Sequence, residues 1–474
     1  MNVNPITRLD YPDPDVIRVE DTYYMVSTTM HFMPGCEILQ SFDLVHWEHA
    51  TYVYETLDHT DAQQLKSGQN IYGQGMWAAS LRYHEGRFYI CFVANDTRKT
   101  YLYTSEKIDG PWKKQLIEGF YHDGSLLFDE DGRNYIVYGN DEIWITELNE
   151  DLTAPKKDGL HRLLVSDHKN PKLGYEGSHI QKINGYYYIF LIHSLRDRWM
   201  RTEACFYSDS LEGEFTGGDV LCDDRGYCGQ GVAQGGIVDT PDGKWYAMLF
   251  QDSGAVGRLP ILLPVTWKDH FPVFGQNGHV PEEIEVHSTR PGYIYQPLVG
   301  SDDFCNGLLP RWQFNHDPDP QYYHLDALQG TYTITTREVC TELTQAVNTL
   351  TQRMSYPSCA AEVTVDASAL KEGDVAGLCA FQGCYAAVGI TKHHGKYEVL
   401  MLDKKEDGIL DMTEGTVVES HQMDFRLEAD FCNMKDEARC YYRVNKGDWL
   451  PIGTVHKLYF KLDHFTGCRF GLFC

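Results

Sequence analysis

His122-Asp123-Gly124-Ser125-Leu126-Leu127-Phe128, followed by Gly132-Arg133-Asn134-Tyr135-Ile136-Val137, is the stretch on which the reading of this chain turns. An apolar run ends at a glycine turn and an alternating run of strand-forming residues returns, which is the pattern of a β-hairpin. The same turn and return recur at Asp21-Thr22-Tyr23-Tyr24, Gly86-Arg87-Phe88-Tyr89, Gly185-Tyr186-Tyr187-Tyr188 and Gly243-Lys244-Trp245-Tyr246, with turn positions 46 to 65 residues apart. Repeats of that length leave room for four short strands each and predict a five-bladed β-propeller.

Counting back from the turns singles out one equivalent position per repeat. Nine residues before the turn glycines stand Trp77, Asp123, Glu176 and Gln234, and eight before Asp21 stands Asp13. In a propeller the strand entering each hairpin is the innermost, so its start faces the axial cavity. Three acids at that position predict a carboxylate site on the axis. Taken singly, each acid reads as a turn or cap residue; the shared offset reverses that reading. The flanking residues agree: Tyr11-Pro12-Asp13-Pro14 removes backbone donors and fixes φ around Asp13. Asp123 and Glu176 are each followed by a glycine, which allows another group close approach.

Composition narrows the partners. The formal net charge of −27 excludes a nucleic-acid or anionic-membrane partner, either of which requires a basic face, and favours a neutral ligand. The 14 cysteines are scattered without Cys-x-x-Cys pairs, and Cys91, Cys205 and Cys379 fall inside strand patterns, as reduced core thiols do. The start of the chain lacks the basic segment and apolar core of a secretory leader, so the expectation is a soluble, cytoplasmic protein. A homo-oligomer is left open.

The texture changes after residue 287. Ser288-Thr289-Arg290-Pro291-Gly292 through Gly300 is turn-rich, and beyond it the hairpin repeat stops. The reading is therefore all-β with two domains, a propeller over 1–295 and a β-sandwich over 300–474, a concanavalin-like jelly roll. Because the chain stops at Cys474 directly after a strand-like run, the last strand of the sandwich is expected to be short or missing.

Taken in order, Asn4-Pro5 through Tyr11-Pro12-Asp13-Pro14, Met33-Pro34-Gly35, Gly75-Met76-Trp77-Ala78, Asp123-Gly124-Ser125, Tyr175-Glu176-Gly177 and Gly257-Arg258 resemble glycoside hydrolase family 43, whose five-bladed propellers include β-xylosidases and α-L-arabinofuranosidases. The second half resembles the concanavalin-like sandwich appended to many members. The resemblance implies an inverting exo-glycosidase that releases xylose or L-arabinofuranose from oligosaccharides or arabinoxylan. Asp13 would be the general base, Glu176 the general acid, and Asp123 the neighbour whose negative charge raises the Glu176 pKa and orients it. Arg258 resembles the arginine that fixes a carboxylate or sugar hydroxyl, with Trp77, Phe32 and Tyr175 as candidate apolar walls against the sugar.

Two departures bear on metals, and no metal ligand is assigned. Many relatives carry a histidine at the fifth-repeat position, where it helps hold calcium, and this chain has Gln234, so no cofactor is required and a structural Ca²⁺ is left open. Asp302 and Asp303 resemble a calcium-binding pair near the start of such sandwiches. The competing classes are a carbohydrate-binding propeller without turnover and a phosphate-dependent glycoside phosphorylase. The latter requires cations around the anion, and the sequence places no such cluster near the acids.

Overall fold

The computed structural model describes residues 3–413 and 415–474. Its regular structure is almost wholly β. Five four-stranded antiparallel meanders come first, opening with Asp15–Val19, Met76–His84, Ser125–Phe128, Glu176–Ile183 and Val232–Asp239. Each opening strand lies against the next, and the fifth lies against the first. The second strands, such as Arg87–Ala94 (RFYICFVA) and Tyr186–Ser194 (YYYIFLIHS), are apolar on both faces because a neighbouring sheet covers each side.

The repeated turns take the predicted form. Glu85-Gly86 and Asn184-Gly185 both lie at positive φ, as a two-residue hairpin whose twist matches its strands requires. Gly132 and Gly243 close longer turns, donating to the Asp129 and Thr240 carbonyls.

The second half packs a nine-stranded sheet on a four-stranded one, Ser358–Asp366, Gln422–Asp430, Glu437–Arg443 and Leu450–Lys457, around one apolar core. The expectation for the chain end is corrected here. Arg469–Phe473 is a full central strand, paired on one side with Leu350–Arg353 and on the other with Val375–Phe381.

The two halves share a sheet. Phe32–Met33, from the first meander, adds an edge strand to the nine-stranded sheet by pairing with Gln313–Asn315. Buried charges reinforce the junction: Arg353 Nη1 lies 2.8 Å from Glu37 Oε2, and its Nε donates to the Asp10 carbonyl. Phe32 is thereby sealed between Phe381 and the Arg469 guanidinium, 3.5 Å above its ring. That placement removes it from any sugar contact.

Candidate active site

A backbone kink recurs where each opening strand begins. Asp13, Asp123 and Gln234 themselves sit at positive φ (51°, 48° and 60°), whereas after Trp77 and Glu176 the following residue does, Ala78 and Gly177. The register slips between Trp77 and Ser80, Glu176 and His179, and Ala233 and Gly236, so these are β-bulges that re-aim a side chain. Glycine is required at 177: a Cβ there would lie 2.7 Å from the Gln234 side chain.

The kinks bring the five positions to one cavity of about 210 Å³, which Asp13, Trp77, Asp123, Glu176 and Gln234 all line together with Arg258. Asp13 is held at both oxygens, by Arg258 Nη1 at 2.6 Å and by Thr28 Oγ1 at 2.6 Å. Thr28 accepts from the Ala78 amide, so the Trp77 bulge helps place Asp13. Asp123 Oδ2 accepts from the Gly177 amide at 3.0 Å, which ties it to the strand bearing Glu176. Glu176 Oε2 accepts from Asn140 Nδ2 at 2.7 Å.

Tyr175 points the other way. Its ring packs on His193 and Phe206 in the body of the fourth sheet, so the side chain next to Glu176 alternates to the opposite face, as strand geometry demands. Of the four predicted sugar contacts, Trp77 and Arg258 line the cavity, and Phe32 and Tyr175 do not.

Sequence reasoning missed several lining residues. His122, Asn140, Leu173, Trp199 and Arg201 come from the first half, and Leu462 and Phe465 reach in from the sandwich. His122 stood beside a recognised acid, whereas Trp199 precedes and Arg201 opens the strand Arg201–Ser208, where no sequence motif drew attention. Loop 52–75 contributes nothing to the cavity; it docks on the sandwich through Ile71 N to His316 Nε2 and Asp317 N to the Gln63 carbonyl. Nothing local in residues 462–465 announces that they face Asp13. Phe465 covers the Arg258 guanidinium at 3.8 Å and meets the Trp77 ring edge-on at 5.0 Å.

Electrostatics modify the roles assigned from sequence. The His122 Nε2 lies 3.6 Å from Asp123 Oδ2 and 3.7 Å from Glu176 Oε2. The Asp123 charge, opposed by burial and aided by Glu176, raises the His122 pKa to about 9. Burial pushes the Glu176 carboxyl up, but the imidazolium, with Arg201 and Arg258, outweighs it and holds Glu176 below the usual carboxyl value. Burial instead lifts Asp123 to about 6. The upward shift expected at Glu176 from Asp123 is not what the site gives: the His122 charge between the two acids shifts Glu176 downward instead.

Arg201 adds to the predicted Arg258 a second cation that the sequence did not reveal. Both pair with Asp252: Arg201 Nε donates to Asp252 Oδ2 at 2.7 Å while its buried Nη1 has no hydrogen-bond partner, and Arg258 bridges Asp252 and Asp13.

The axis below the cavity tests the calcium expectation. Arg82 crosses it from the second sheet and donates to Asp15 Oδ2 (2.7 Å), Ser125 Oγ (2.6 Å) and the Leu126 and Ile180 carbonyls, while His179 Nδ1 lies 3.1 Å from Asp15 Oδ1. These axial oxygens already serve a fixed guanidinium, and a divalent cation beside it would be repelled. The axial residues do not fit the metal. In the sandwich, Asp302 accepts from Trp312 Nε1 and the Phe304 amide, and Asp303 from the Cys305 amide, which are turn-capping roles. Prolonged chelation is therefore expected to leave the unfolding midpoint unchanged, and added calcium to raise it by less than about 1 °C, as scanning calorimetry would measure.

Comparison with known proteins places these features in one family. Residues 3–272 match the model of Glycosyl hydrolases family 43, and residues 301–474 match the Beta xylosidase C-terminal Concanavalin A-like domain. A beta-xylosidase of Formosa agariphila is 26% identical, covering 99% of this chain and 87% of the relative. A non-reducing end alpha-L-arabinofuranosidase of Bacteroides ovatus is 24% identical over 86% of this chain and 79% of its own. Among solved structures, a bifunctional GH43-CE protein of Bacteroides eggerthii superposes with a TM-score of 0.92 at 42% identity over 99% of this chain, which spans 61% of that protein.

Proposed function

Because this chain belongs to glycosyl hydrolase family 43, we propose that it is an inverting, exo-acting glycosidase that releases xylose or L-arabinofuranose from xylo-oligosaccharides or arabinoxylan side chains. The carrying observation is the small cavity that collects Asp13, Asp123 and Glu176 with Trp77 and Arg258, closed on one side by Leu462 and Phe465. A space of about 210 Å³ suits one terminal sugar ring and not the middle of a chain, which supports exo action. The five meanders are taken as the blades of a propeller over 1–295, and the sandwich over 300–474 as the wall that makes the axial cleft a pocket.

In this reading Asp13, fixed by Arg258 and Thr28, accepts the proton of the attacking water. Glu176 delivers a proton to the departing oxygen from the other face of the ring. Arg258, stacked on Phe465 and Phe250, keeps Asp13 oriented and its charge balanced. Asp123 holds the Glu176 strand through the Gly177 amide. The free thiols Cys91, Cys205 and Cys379, buried and inert, accord with a reducing, cytoplasmic setting and with imported oligosaccharides as substrate.

A panel of nitrophenyl pentosides, followed by proton NMR of the first-formed sugar, tests the reading. Release of a pentose whose anomeric configuration is opposite to that of the substrate is expected, without dependence on phosphate. Retention of configuration, strict need for phosphate, or binding without release would each overturn it.

A further inference from the structure

The proposed chemistry needs a protonated Glu176, yet His122, Arg201 and Arg258 around it favour its charged form, so a proton donor within reach matters. Three groups bear on this: His122, Asp123 and Glu176 each turn a titratable atom toward a common point, with Nε2 of His122 within 3.7 Å of both carboxylates. His122 Nε2 is buried and has no hydrogen-bond partner of ordinary length. It therefore aims a donor at the two acids without being spent on structure. The other charges facing the group are Asp13, which adds negative potential at His122 and Asp123, and Arg201 and Arg258, which add positive potential at Glu176. Both arginines are partly neutralised by Asp252, and Arg258 also by Asp13. Asn140 supplies a neutral donor to Glu176.

We infer that His122 is a positioning residue that stores the catalytic proton and passes it to Glu176 Oε2 when the leaving group enters. The inference rests on Glu176 being the acid, as proposed above. The transfer balances simply. His122 gives up its Nε2 proton and becomes neutral, and Glu176 becomes a carboxylic acid. As the bond from the anomeric carbon to the leaving oxygen breaks, that oxygen takes the Glu176 proton, and the attacking water gives one of its own to Asp13. Asp13 releases its proton to solvent, and one returns to His122. The net consumption is one water per glycosidic bond.

Storing the proton on a base instead of on the carboxyl has a readable consequence. The site keeps its proton until the pH approaches the histidine's raised value of about 9, whereas a carboxyl without the imidazole loses it earlier. The test is the pH profile of kcat for the wild type, His122→Asn and His122→Gln, each on an aryl pentoside with a good leaving group and on a pentose disaccharide with a poor one. With the disaccharide, the alkaline limb is expected to fall at least one pH unit lower in both variants, giving a loss of tenfold or more at pH 8, less near pH 5.5, and KM within about twofold. With the activated aryl glycoside the shift shrinks. Independently of turnover, side-chain NMR of the wild type should show a histidine resonance, absent in His122→Asn, that titrates more than one pH unit above the ordinary 6.5. Profiles that superimpose on the wild type, an equal loss at every pH, or a His122 resonance titrating at or below 6.5 would each overturn it. Glu176→Gln is assayed alongside. If it is inactive while the His122 profiles superimpose, only the proton store is lost; if it retains full activity, the proposed acid fails first.

Discussion

Asp13→Asn is expected to abolish turnover of every pentoside, whatever its leaving group, with a loss of about 10⁴-fold in kcat. The substitution keeps the side-chain volume and the Thr28 contact but removes the charge that accepts the water's proton. It also leaves Arg258 with Asp252 as its remaining anionic partner, so the variant must be shown to fold before the rate is read. Glu176→Gln is expected to behave differently. A leaving group that departs without protonation does not need the acid, so a dinitrophenyl pentoside should retain far more of its rate than a disaccharide, for which the loss matches that of Asp13→Asn. Steady-state kinetics on the two substrate types separate the roles. Wild-type activity in either variant, or equal sensitivity of Glu176→Gln to both leaving groups, would remove the assignment.

The parts of this molecule that could be read from sequence are those that local chemistry dictates. Turn glycines at 86, 132 and 185 take a positive φ that glycine adopts without steric cost, so the hairpin period was visible without any tertiary information. The offset of Asp13, Asp123 and Glu176 was visible for the same reason, since the backbone kink that turns each of them inward, a positive φ at Asp13 and Asp123 and a bulge at Glu176, sits at a nearly fixed distance from its hairpin. What escaped depends on how distant segments meet. Phe32 lies beside a string that marks the site in sequence, yet it serves as an edge strand of the second half, a pairing that no period in residues 30–35 encodes. Phe465 and Leu462 face the acids because the sandwich docks where it does. The direction of the Glu176 shift differs from the expectation because His122 was read as part of a string and not as a charge between the two acids.

That docking carries its own acid sensitivity. His31 and the segment around Tyr72 from the first half meet His316 and His464 from the second, with ring centroids of His31 4.8 Å from His316 and 5.6 Å from His464, and Tyr72 stacked on His464 at 4.1 Å. All three histidines are fully or nearly fully buried. Burial lowers His316 and His464 to about 3, and burial with the neighbouring histidines and Arg469 lowers His31 well below its ordinary value. At His316 the geometry gives the reason: Nδ1 faces Asn315 Oδ1 at 2.7 Å and Nε2 accepts from the Ile71 amide at 2.9 Å, so a second proton would break the bond that fastens loop 52–75 to the sandwich. A histidine with a depressed folded pKa contributes stability that is present above its unfolded value of 6.5 and is lost as the pH falls toward 3. Between pH 7.5 and pH 5 each such histidine forfeits about 2 kcal/mol, and three forfeit about 6 kcal/mol, on the scale of a domain's whole stability.

Buried aspartates oppose this. Burial raises Asp10, Asp123, Asp317 and Asp436 to about 6, so their contribution is present below 3.8 and lost as pH rises through 6; each returns about 1.4 kcal/mol over the same acid interval. The wild-type curve sums opposing effects of similar size, and the histidine share is exposed only by difference. His464→Gln, unfolded by urea at both pH values, is expected to be less stable than the wild type at pH 7.5 because the Tyr72 stack is lost, and to recover about 2 kcal/mol relative to it at pH 5. The double variant His31→Gln/His464→Gln should recover more. A stability difference from the wild type that does not change between the two pH values would show that these histidines take no proton penalty.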